Sequence, residues 1–62
     1  MDDDRAQLAS VATALDELTD RITRLGESYA GAHDDRAANE LFEVERTLRQ
    51  ASRRLDRLVR GA

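Results

Sequence analysis

Residues 8–25 read LASVATALDELTDRITRL, and the spacing of their apolar side chains decides the fold. Leu8, Val11, Leu15, Leu18, Ile22 and Leu25 follow one another alternately three and four residues apart. That spacing is a heptad stripe, the pattern of a helix packed lengthwise against another helix. With Leu8, Leu15 and Ile22 labelled a, the residues Val11, Leu18 and Leu25 fall at d.

The stripe continues through Tyr29, again at a, in spite of Gly26. Gly26 costs about 1 kcal/mol relative to alanine inside a helix. Gly31 is then the expected left-handed stop; the alternative stop is Gly26 itself, with residues 26–34 as a longer loop. A second stripe follows in Ala37, Leu41, Val44, Leu48, Ala51, Leu55 and Leu58, with Leu41, Leu48 and Leu55 at a. The interval from Tyr29 to Leu41 is not a whole number of heptads, so one continuous helix would turn the second stripe away from the first. Asp34 or Asp35 can cap a new helix. The expectation is an all-α fold, an antiparallel two-helix hairpin of coiled-coil type. Its parts are helix 1 at about 5–30, a turn at about 31–35 and helix 2 at about 36–60, all within a single domain 1–62.

In an antiparallel pair an a residue layers against a d residue. The layers Leu25/Leu41, Ile22/Val44, Leu18/Leu48, Leu15/Ala51, Val11/Leu55 and Leu8/Leu58 all lie symmetrically about His33. These twelve residues are the expected hairpin seam. The same register brings the acidic opening, Asp2 to Asp4, towards Arg57 and Arg60.

A chain of 62 residues is short for a stable core, and it has no cysteine for a disulfide or a thiolate metal site. Burial against a partner is the remaining support. The e positions point to it. They are mostly small or uncharged: Ala12, Thr19 and Gly26 on the first helix, Ala38, Ser52 and Val59 on the second. A solitary two-stranded coil usually carries charges there. Ala9 and Phe42 lie beside this flank at b. The expected oligomer or partner interface is therefore Ala9, Ala12, Ala38, Phe42 and Val59, giving a homodimer built as a four-helix bundle. A heterologous helical protein would satisfy the same surface.

Net charge is −3, all ten basic residues are arginine, and proline is absent. Exclusive use of arginine suggests a GC-rich bacterial source. The acidic opening is the opposite of a signal-peptide n-region, and no apolar run approaches the ~20 residues that span a bilayer. The cytoplasm is the expected location, with no membrane partner. No phosphate loop, nucleophile elbow or zinc-binding helix motif occurs, so neither catalysis, a cofactor, a metal nor a small-molecule substrate is expected. His33-Asp34-Asp35 reads as turn and cap chemistry rather than a metal cluster. One charged feature stands out: Arg46, Arg49, Arg53, Arg57 and Arg60 form a basic stripe at helical spacing. It is a candidate contact for an anionic partner. Without interleaved aromatics or a DNA-binding motif, nucleic acid ranks behind a protein partner. The expected function is a non-enzymatic, self-associating helical assembly module. The alternative is a small nucleic-acid-associated regulator that uses the basic stripe.

Overall fold

The computed structural model describes residues 2–61; Met1, Ala62 and the side chain of Asp2 lie outside the description, and the expected approach of Asp2 to the C-terminal arginines lies there with them. Two helices fold back on each other, α1 (Asp2–Gly31) and α2 (Asp35–Gly61). The hairpin measures 48 × 14 × 11 Å between Cα atoms. Gly26 does not interrupt α1, which runs on to Gly31. Asp4 lies inside α1, and neither Asp3 nor Asp4 pairs with Arg57 or Arg60 among the described residues.

The turn is shorter than the one expected. Gly31 keeps a right-handed conformation, and the left-handed residue is His33, at φ 62°. The Asp34 N–H donates to the Tyr29 carbonyl at 2.9 Å and the His33 N–H to the Ala30 carbonyl at 3.1 Å, which is the Schellman pattern of a helix end. Asp34 then starts the next helix: its Oδ1 accepts from the Ala37 N–H at 3.2 Å. One residue closes α1 and caps α2. A β-carbon is disfavoured in the left-handed region, so His33→Gly is expected to raise stability by about 0.5–1 kcal/mol. Asp34→Ala removes the cap and is expected to lower it by about 1 kcal/mol. Urea titrations of the two variants against the parent chain test both signs.

Three contacts fix the register: Asp16 with Ser52, Thr23 with Glu45, and Gly26 against Phe42. All three are symmetric about Asp34, one residue beyond the expected centre at His33. The helices are also rolled. The residues buried between them are Ala12, Thr19, Gly26, Ala38 and Ser52, all from e rows. Leu8, Leu15, Ile22, Leu41, Leu48, Ala51 and Leu55 are half-buried. Val11, Leu18, Leu25, Val44 and Leu58, expected in the seam, are instead 43–55% exposed. Small side chains along the e rows let the backbones approach, and the pair closes on that side rather than on its leucines. At Gly26 the two helices approach closely. A methyl group built on its Cα would lie 2.7 Å from Phe42 Cε1.

Polar groups inside this close seam are satisfied. The Thr19 hydroxyl donates to the Leu15 carbonyl at 2.7 Å, which allows a threonine only 3% exposed. Ser52 donates to Asp16 Oδ1 at 2.6 Å across the helices. Hydrogen bonds to a charged acceptor are stronger than neutral ones, and the Ser52–Asp16 bond ties the rolled register across the helices.

Candidate interaction surfaces

The roll makes the hairpin two-faced. In an antiparallel pair closed on a and e, the d rows of both helices point to one side and the b rows to the other. The d side carries Val11, Leu18 and Leu25 from α1 and Val44, Ala51 and Leu58 from α2, above the half-buried a residues. Tyr29, 43% exposed, extends it towards the turn. This is an apolar surface running nearly the whole length of the molecule. Scattered exposed leucines need no explanation; here the exposed apolar side chains share one side of the hairpin, which makes that face a candidate contact surface.

The expected partner flank is divided differently. Ala12 and Ala38 are already buried within the hairpin. Phe42 is half-buried beside Gly26, with its ring over the glycine. Val59 is half-buried and Ala9 exposed on the polar side. Of the five residues, Ala12 and Ala38 therefore serve the intramolecular contact, because their burial within the hairpin leaves no surface for a second chain, and Phe42 gives part of its ring to the same contact.

The polar side holds a second link between the helices. The Thr23 hydroxyl donates to Glu45 Oε2 at 2.6 Å, and Arg49 donates to the same oxygen through Nη2 at 2.8 Å. Thr23 first, then Arg49, hold the Glu45 carboxyl below its ordinary value of 4.5. A carboxylate lowered in the folded state adds stability that is fully present above its unfolded value and is lost as pH falls through the folded one. The window thus begins at 4.5 and extends downward. Thr23→Val is expected to lower the neutral plateau and flatten this acid limb, so that variant and parent converge as the pH falls; thermal melts from about pH 6 to about pH 3 measure it. An unchanged acid limb would mean that Glu45 is not held by Thr23.

Next to this network, Asp16, Thr19, Asp20, Arg49, Ser52 and Arg53 line an open groove of about 310 Å³. Acids and bases of both signs face it, and Asp16, Arg49 and Ser52 are already engaged, so the groove presents no convergent set for one ligand. All five arginines of the basic stripe are exposed. Arg46 lies 3.7 Å from Glu43 and Arg49 is bound to Glu45, while Arg53, Arg57 and Arg60 form no ion pair among the described residues. Among those residues, no three His, Asp or Glu side chains gather as a metal cluster, and no helix is long and apolar enough to cross a membrane.

Comparison with protein-family models, with curated proteins and with solved structures returns no match.

Proposed function

We propose that this chain is a non-enzymatic helical assembly module that binds a second copy of itself through the d face, forming a four-helix bundle. The observation that carries the reading is the exposed row Val11, Leu18, Leu25, Val44 and Leu58. The interface expected from heptad flanks moves with the roll from the e rows to the d rows. A face 48 Å long and 14 Å wide between Cα atoms covers roughly 700 Å² in projection, close to the ~800 Å² per partner of a stable interface. A helical hairpin of this size buries one narrow seam by itself, and covering the d face supplies the second layer that a helical core requires. The test is absolute mass by sedimentation over a hundredfold range of concentration. A dimer is the expected result; a folded monomer throughout the range overturns the reading.

Arg53, Arg57 and Arg60, which form no ion pair among the described residues, favour a second reading, contact with a polyanion such as nucleic acid. It predicts retention on immobilised RNA or DNA that falls steeply with salt. The assembly reading predicts none.

A further inference from the structure

Resting on the self-association just proposed, we infer that the two copies face each other with their turns at opposite ends, so that α1 lies on α1 and α2 on α2. Only two arrangements place the apolar faces together around a two-fold axis. With the axis parallel to the helices, the turns share one end and α1 of one copy lies on α2 of the other. With the axis across the helices, each helix lies antiparallel to its own copy.

The edges of the apolar face distinguish the two. On α2 the edge beside the d row is position g: Glu40, Thr47 and Arg54. All three are exposed, and neither Glu40 nor Arg54 has a hydrogen bond or ion pair within the chain among the described residues. When α2 lies antiparallel to itself about Thr47, Glu40 meets the partner's Arg54 and Arg54 meets the partner's Glu40. The side chains beneath fit that axis to within one residue. On α2 it brings Val44 within one residue of the level of the second copy's Ala51. On α1, where Arg21 is level with Thr47 in the observed register, it brings Leu18 within one residue of the level of the second copy's Leu25. One like-charge approach opposes these contacts, that of Arg21 to its own copy at the axis. With the turns at one end, Glu40 would face Ser28, Arg54 would face Ala14 and Arg21 would face Thr47, with no charge pair on either edge.

The axis at Arg21 leaves thirteen residues to Asp34, so the two turns stand roughly 40 Å apart at 1.5 Å per residue. With the turns at one end, helices spaced ~8–10 Å apart place them within roughly 20 Å. The chain has no cysteine, so Ala32→Cys gives one spin label per copy, at the exposed turn. Pulsed dipolar spectroscopy on the labelled chain, with its mass measured alongside, separates the cases. A dimer with a label distance near 40 Å is expected. A dimer with a distance near 20 Å overturns the orientation and leaves self-association standing; a monomer overturns both. Charge variants supply a second readout. Glu40→Arg is expected to weaken dimerisation about tenfold, Glu40→Arg with Arg54→Glu to restore it, and Arg21→Gln to strengthen it. Failure of the double variant to restore binding counts against the opposite-end arrangement.

Discussion

Replacing Leu18 and Leu25 together with glutamate is expected to abolish association, shifting the dimer dissociation constant by at least about a thousandfold. Both side chains stand about half exposed on the hairpin, 47% and 48%, so each has about half of its burial still to gain. Full burial of a leucine is worth ~1.5–3 kcal/mol, and the remaining half about 1 kcal/mol. Two residues in each of two copies give about 4 kcal/mol, or three powers of ten. Glutamates placed there would also have to be desolvated without partners, which adds to the loss. The same pair has its other half covered within the hairpin, so a monomer that keeps its helical circular dichroism is the informative outcome. A monomer that unfolds shows instead that the second copy supplies much of the stability, as the size of the chain suggests. Unchanged mass at matched concentration would remove the d face as the contact.

The second large effect runs against helix propensity. Gly26→Ala lies in the interior of α1, where alanine is favoured over glycine by about 1 kcal/mol. The new methyl would fall 2.7 Å from Phe42 Cε1 and 3.0 Å from Cδ1. Either the ring leaves its place over the glycine or the helices move apart; overpacking of this kind costs ~1–3 kcal/mol. The expected balance is a loss of about 1 kcal/mol, and for a chain of this length about 4–8 °C in melting temperature. Phe42→Leu in the same chain removes the obstacle, so the double variant is expected to lose less than the two single effects combined. Calorimetry of the four chains closes that cycle. Stabilisation by Gly26→Ala alone would contradict the close approach of the helices.

Both predictions depend on a feature that heptad arithmetic does not contain. The two stripes and the phase break between Tyr29 and Leu41 identify a hairpin, and an acidic residue at the cap position identifies the start of α2. A stripe states that a face is buried against something, without dividing it between the neighbouring helix and another chain. That division lies with the small residues. Ala12, Thr19 and Gly26 face a row that includes Ala38 and Ser52, and two rows of small side chains let helices approach more closely than leucines do. Their smallness is visible in the sequence, and its meaning is backbone contact rather than an outer flank. Gly26 likewise reads locally as a penalty, whereas opposite Phe42 it makes room for a ring. The left-handed turn residue is hidden for another reason: Gly31 suits that conformation better than His33, and only the hydrogen bonds of Tyr29 and Ala30 show where the chain reverses. The basic stripe is legible residue by residue, and its engagement is not, because Arg46 and Arg49 find acids on their own helix while Arg53, Arg57 and Arg60 do not.

The double use of Asp34 bears on how fast the hairpin can assemble. Because one residue ends the first helix and begins the second, the reversal is built from local hydrogen bonds and needs no distant segment to form. The cross-helix pairs then lie at growing loop lengths, Gly26 with Phe42 nearest, Thr23 with Glu45 next and Asp16 with Ser52 beyond. Each pair brings the next one closer, so the entropy of closing a long loop is never met in one step. Zipping outward from the turn is a low-contact-order route, of the class that folds in microseconds to milliseconds. In the proposed dimer, joining two such hairpins is a slower, second-order event, and its rate, unlike that of the zipping, rises with protein concentration.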